Sequence, residues 1–150
     1  MKLAWLGILT SVLLASCSNY SGDFRAATNV FNQFTKPAST PSGPWKGTWK
    51  SEINGHHGPL WCMVSQDEKN PALWNFRYRA GWGILKFGDY NHQIPATLKR
   101  NGNLPLKGTM TLPNNFGTYA MDGDANPVKF GVRYRGNGDK GTMTLTRPGN

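Results

Sequence analysis

The chain has 150 residues, of which 38% are hydrophobic and 17% charged, a size and composition that fit one domain and exclude a multidomain enzyme or a coiled coil. Eighteen glycines and ten prolines accompany six tryptophans, five tyrosines and seven phenylalanines, the mixture of turn formers and pleat-filling rings expected of many short strands rather than a helical bundle. Seventeen basic against eight acidic side chains give a formal charge of +9, which favours anionic surroundings such as lipid headgroups or acidic polymers.

Met1 and Lys2 make a short positive start, and the stretch from Leu3 to Ala15 is mostly apolar. This charge-then-hydrophobe order is that of a secretory signal. As a helix the apolar run measures roughly 20 Å against a ~30 Å hydrocarbon core, too short for a permanent span. Its end, Leu14-Ala15-Ser16-Cys17, resembles the bacterial lipobox, which implies cleavage before Cys17 and acylation of its thiol. Residues 1–16 are therefore read as a lipoprotein signal peptide. Ser18 after the cysteine, in place of an aspartate, implies by the same resemblance an outer-membrane anchor facing the periplasm. Cys62 is then left without an intramolecular partner and reads as a small buried hydrophobe.

Residues 17–43 read as the acylated cysteine and a flexible linker, rich in Ser, Thr, Asn and Pro. A coil of this length spans about 28 Å root-mean-square. The alternative is a short amphipathic helix around Ala26 to Phe34, resting on the domain or the membrane through Phe24, Val30, Phe31 and Phe34.

Residues 44–150 form the domain, where the apolar period becomes two. Trp45, Gly47, Trp49, Ser51 and Ile53 point one way and Lys46, Thr48, Lys50 and Glu52 the other. Leu60 to Val64 follows, and then Trp74, Phe76, Tyr78 and Ala80 alternate with Asn75, Arg77 and Arg79. Further strands are expected over Gly83 to Tyr90, Ile94 to Lys99, Leu106 to Leu112, Gly117 to Met121, Val128 to Arg135 and Lys140 to Arg147. Turns are expected at Asn101-Gly102-Asn103, Pro113-Asn114-Asn115, Asp122-Gly123-Asp124 and Gly136-Asn137-Gly138-Asp139. The fold class is all-β: a small antiparallel meander closed into an 8–9-stranded barrel, which removes unpaired edges, with a β-sandwich as the alternative. The hexamer Lys-Gly-Thr-Met-Thr-Leu occurs at 107–112 and again at 140–145, and Arg-Tyr-Arg at 77–79 and 133–135. Equivalent strand environments or hairpin duplication both account for such recurrence.

Gly47-Thr48-Trp49 on the first strand and Arg147 on the last resemble the calycin superfamily of lipocalins, fatty-acid-binding proteins and avidins. The resemblance implies a tryptophan, Trp49, closing a barrel floor with Arg147 packed over its face. Trp45 to Glu52, Asn54 to Gly58 and Asp139 to Pro148 are similar to small uncharacterised bacterial envelope lipoproteins, which bring no activity with them.

Chemistry is sparse. Glu52, Asn54, His56 and His57 make a polar loop between the first two strands, expected at a barrel mouth. Adjacent histidines rarely chelate one ion together, so no metal and no other cofactor is expected. The Gly-x-Ser-x-Gly and His-Glu-x-x-His patterns are absent and the acids fall in expected turns, so an enzyme is not expected. Trp49, Trp74, Phe76, Tyr78 and Phe130 are the candidates for a ligand pocket or a packed core. Arg77, Arg79, Arg133 and Arg135 face outward and are candidates for contact with anionic lipid, cell-wall polymer or a partner protein. Two functions follow as expectations: an anchored barrel binding a small apolar or amphiphilic ligand, or a structural lipoprotein acting through its basic face. Nucleic acid is not expected as a partner, because basic and aromatic residues do not interleave on the exposed faces.

Overall fold

The computed structural model describes residues 19–34, 36–112 and 117–149, with Phe87 described by its backbone alone. The signal peptide, Cys17 and the Pro113-Asn114-Asn115 turn lie outside the described residues. Among the described residues one helix, α1 (Tyr20–Asn32), precedes eight strands: β1 (Gly43–Ser51), β2 (His57–Gln66), β3 (Leu73–Trp82), β4 (Leu85–Pro95), β5 (Leu104–Leu112), β6 (Gly117–Ala125), β7 (Lys129–Gly136) and β8 (Asp139–Thr146). No described helix is long and apolar enough to cross a membrane.

The expected antiparallel meander is the architecture. All eight strands belong to one sheet in the order β4-β3-β2-β1-β8-β7-β6-β5, so β8 returns to pair with β1. A single sheet curled this strongly replaces the sandwich alternative. Its two edges, β4 and β5, are consecutive in sequence and share no ladder. They meet instead through side chains. His92 Nε2 on β4 donates to Thr109 O on β5 at 2.6 Å, and Gly108 leaves room for Ile94, whose methyl lies 3.6 Å from where a Cβ would sit.

Alternation fixes which side is inside. On β3, Trp74, Phe76, Tyr78 and Ala80 are buried while Asn75, Arg77 and Arg79 lie outward. The same phase runs through Leu60, Cys62 and Val64 on β2 and Phe130, Val132 and Tyr134 on β7. Tight curling requires strands to approach closely: a Cβ on Gly47 would fall 1.9 Å from Thr144 O on β8.

Several expected boundaries move. Gly83 to Tyr90 and Ile94 to Lys99 are mostly one strand, β4, because Asn91-His92-Gln93 continues the alternation with His92 buried between two exposed amides. Asp122-Gly123-Asp124 is not a turn but the interior of β6, where a Cβ on Gly123 would meet Gly131 O at 2.1 Å. The actual β6–β7 turn is built on Asn126, whose Oδ1 accepts from Val128 N at 3.0 Å and Lys129 N at 2.9 Å. Ile53 belongs to the turn after β1 and is exposed.

The segment expected to be a flexible linker contains α1. Asn19 caps it by accepting from Gly22 N at 3.1 Å, and Tyr20, Phe24 and Phe31 share the face turned to the sheet. Tyr20 is buried against the outside of β3, its hydroxyl donating to Arg77 O at 3.2 Å. Val30 and Phe34, expected on the packing face, are exposed.

Candidate functional site

The curled sheet has two ends. Because β1 starts at one and β8 finishes there, Trp45 and Arg147 meet at what is here termed the floor. Arg147 is buried with its guanidinium 3.8 Å from the Trp45 ring and 4.5 Å from the Phe31 ring on α1. Its nitrogens donate to Pro127 O at 2.9 Å, Thr40 O at 3.0 Å and Pro44 O at 3.3 Å. Burial pushes its pKa down to about 10. The expected arginine-on-tryptophan contact is therefore present, but its ring is Trp45. Trp49 lies four residues further along β1, toward the other end, where its Nε1 donates to Gly81 O at 2.9 Å.

That other end, the mouth, holds an apolar cavity of about 220 Å³. Every strand contributes to its wall: Trp49, Leu60, Ala80, Tyr90, Met110, Tyr119, Tyr134 and Met143 come from β1 to β8 in turn. Leu112, Trp82, His56 and Asp139 complete it. Asp139 is satisfied by the protein itself. Its Oδ1 accepts from Ser51 Oγ at 2.6 Å and Lys140 N at 2.8 Å, and its Oδ2 accepts from Tyr134 Oη at 3.3 Å. Burial and the neighbouring Asp139 push the Tyr134 phenol up. With Trp49, Tyr134 and Asp139 engaged in this way, the wall presents mainly ring faces, methyls and thioethers to an occupant. A cavity of about 150 Å³ lined by apolar groups holds a benzene, so this one takes a small apolar group or a short stretch of chain.

Of the five pocket-or-core candidates, only Trp49 reaches the cavity. Trp74, Phe76, Tyr78 and Phe130 are fully buried beneath it, with Phe130 edge-on to both Trp45 and Phe76. Trp74 Nε1 has no hydrogen-bond partner there, and the polar neighbour of the Tyr78 hydroxyl is the Cys62 thiol. Burial pushes the Cys62 thiol well up, as expected of an inert hydrophobe. Sequence reasoning missed Tyr90, Met110, Tyr119, Tyr134 and Met143. The inward phase of Met110 and Met143 in the two hexamer copies was the available signal.

The polar loop lies at the mouth. Asn54 Oδ1 accepts from His56 N at 2.9 Å, and His57 Nδ1 lies 3.1 Å from Gly55 O. His56 makes a tilted contact with Trp82, ring centroids 4.9 Å apart, so the β1–β2 and β3–β4 connections touch over the cavity. Glu52 lies apart from them, on an outer groove described below. Among the described residues no three His, Cys, Asp or Glu side chains cluster as a metal site requires.

The four arginines divide into two pairs. Arg77 is engaged internally: Nε and Nη2 reach Asp89 Oδ1 at 2.6 Å and Oδ2 at 2.7 Å, while Nη1 reaches Asp23 Oδ2 on α1 at 2.7 Å. The guanidinium hydrogen bond holds the Asp89 carboxyl below the ordinary carboxylate range. Arg79 donates to Ser21 Oγ at 2.9 Å and lies over the Tyr20 ring. Arg133 and Arg135 remain exposed on β7, beside Lys107 and Lys140, in an outer groove of about 590 Å³ also lined by Glu52 and Asp122.

Compared with family models, with curated proteins and with solved structures, the chain finds no match.

Proposed function

We propose that this chain is a membrane-anchored envelope lipoprotein, held at the periplasmic face of the outer membrane through Cys17, whose curled sheet binds a small apolar or amphiphilic ligand. The observation that carries this reading is the cavity at the mouth, walled by side chains from all eight strands and left open above a core that is already packed. A fold needs a core but not a second apolar hollow beside it. His56 and His57 at the rim supply a polar border for the headgroup of an amphiphile. Native mass spectrometry of the gently purified acylated protein tests it. A discrete added mass that disappears on denaturation is expected, and a clean apo mass overturns the reading.

A second reading rests on the outer groove. Lys107, Arg133, Arg135 and Lys140 against Glu52 and Asp122 leave it cationic, which suits an anionic cell-wall polymer or an acidic partner. Binding to cell-wall polymer that falls steeply with salt and is lost in an Arg133→Gln, Arg135→Gln variant supports it. Salt-independent binding, or none, removes it.

A further inference from the structure

The hairpin between β3 and β4 carries an anomaly. Its turn residues are Gly83, at φ +57°, and Ile84, and Ile84 is 99% exposed. Two-residue hairpin turns select Gly, Asn and Asp because these accept positive φ and hydrate well. A β-branched apolar side chain wholly in water contributes nothing to the turn or the core. It is not alone: Trp82 and Leu85 flank it at 49% and 62% exposure, and Ile53 at the tip of the neighbouring loop is 58% exposed. The tilted contact of His56 with Trp82 brings the two connections together, so these four apolar side chains crown one end of the molecule. That end is also where the cavity opens, since Trp82 and His56 line it.

Charge and tether point the same way. Lys50, Lys86 and Lys140 are exposed at this end against one exposed acid, Glu52, whereas Asp139 is held by Ser51, Tyr134 and the Lys140 amide. A crown of Trp and aliphatic side chains ringed by lysines matches an anionic bilayer surface, where indole sits at the headgroup level and ammonium groups meet phosphate. The N-terminal end of α1 lies on the same half of the sheet. Ser21 is bonded to Arg79, which precedes Trp82 by about 10 Å of strand. Four residues separate Cys17 from Ser21, at most about 14 Å of extended chain, a length that permits an acyl anchor there to lie in the plane of the crown.

We infer that the mouth docks on an anionic bilayer through Trp82, Ile84 and Leu85, and that the cavity takes its occupant from that bilayer as the acyl chain of a lipid. This rests on the anchored, ligand-binding reading above and names its membrane face and ligand class. An open apolar hollow facing the lipid lets a chain enter without crossing water, whereas a mouth turned away would require the ligand to desorb first.

The test uses the acylated protein in phosphatidylglycerol and phosphatidylethanolamine vesicles containing lipids brominated on the acyl chains, which quench nearby indoles. Bromolipid is expected to quench wild-type emission, Trp82→Phe to reduce that quenching to the part owed to Trp49 on the cavity wall, and Ile84→Glu to reduce it at least twofold. Val128→Glu, at the opposite end, is expected to leave it unchanged. Equal quenching in wild type and Trp82→Phe, or loss of quenching in Val128→Glu but not Ile84→Glu, overturns the docking. Native mass spectrometry on the same preparation separates the two readings. A lipid-sized adduct without Trp82 quenching overturns the docking and keeps the pocket; no adduct and no quenching overturns both; quenching with no adduct overturns the acyl-chain occupant.

Discussion

The guanidinium of Arg147 lies 3.8 Å from the Trp45 ring, so the last residue before the C-terminal turn closes the base of the sheet against its first strand. The Phe31 ring of α1 lies 4.5 Å from the same guanidinium, so one buried cation meets two aromatic rings. Three backbone carbonyls accept hydrogen bonds from it. Arg147→Met keeps much of the volume but removes those hydrogen bonds, and is expected to cost about 2–4 kcal/mol. Arg147→Lys keeps the charge without the planar fork and should recover only part of that loss. Urea unfolding of the three proteins measures the differences.

Trp74 separates packing from hydrogen bonding. Its ring is buried but its Nε1 has no partner, so Trp74→Phe removes a polar atom that costs energy where it is. Trp74→Phe should therefore change stability by less than about 1.5 kcal/mol, while Trp74→Ala should cost about 3–5 kcal/mol through the cavity it leaves. Neither should abolish the ligand adduct in a folded protein, because Trp74 does not line the mouth.

The cavity itself is addressed by Leu112→Trp, at the partly buried upper end of β5. The added rings extend into space already present, so stability should shift by no more than about 1 kcal/mol, less than overpacking a filled core. The ligand adduct should disappear. Retained adduct at unchanged mass and intensity contradicts the assignment of the site.

Acid should weaken the seam between β4 and β5. Burial holds the His92 pKa below its ordinary value near 6.5, against a smaller opposing effect of its hydrogen bond to Thr109 O. Between the unfolded value and the lowered folded one, the unfolded chain binds more protons, so stability falls as pH drops below about 6.5 and levels off beneath the folded pKa. Melting temperature measured from pH 7.5 to 4.5 should show this slope, and His92→Gln should flatten it. The Asp89 carboxyl, lowered by Arg77, acts separately: its stabilisation is present above about pH 4 and is lost further into acid.

Docking of α1 rests on Tyr20 more than on its ion pair. Asp23 is half exposed, and such a pair is worth about 0.2–1 kcal/mol, whereas Tyr20 is buried beneath two guanidinium groups. Tyr20→Ala should raise amide exchange across residues 20–32 by tenfold or more, and Asp23→Asn by less than threefold.

What was legible in the sequence was phase. Two-residue alternation placed Trp74, Phe76, Tyr78 and Phe130 inside and the four arginines outside, because a strand has only two faces. Partners were not legible. Arg77 is opposite Asn91 in the ladder, yet its carboxylate is Asp89, reached beside the register shift between Tyr78 and Ala80. Such a shift depends on how a whole hairpin settles. The choice of Trp45 over Trp49 for the floor follows from register too, since only the pairing of Lys46 with Thr146 puts Arg147 beside Trp45. The helix was hidden by composition: Ser, Thr and Asn dominate its segment, while its docking stripe is only Tyr20, Phe24 and Phe31.

The repeated hexamer is settled by direction. The copy on β5 runs from floor to mouth and the copy on β8 from mouth to floor, so Leu112 lines the cavity while Leu145 is buried at the base. A duplicated hairpin would keep its direction. The recurrence thus reflects a shared in-and-out environment, with Gly, Met and Leu inward and Lys and Thr outward in both.

Between seven of the eight neighbouring pairs around this curled sheet, alignment is fixed by a row of backbone bonds, and a slip of one residue would break that row and turn every inward side chain outward. Between β4 and β5 it rests on side chains, the His92 imidazole reaching Thr109 O and Ile94 seated at Gly108. The circumference of the structure is therefore not locked as it is in a fully laddered cylinder, and its girth at the seam follows how far those side chains reach.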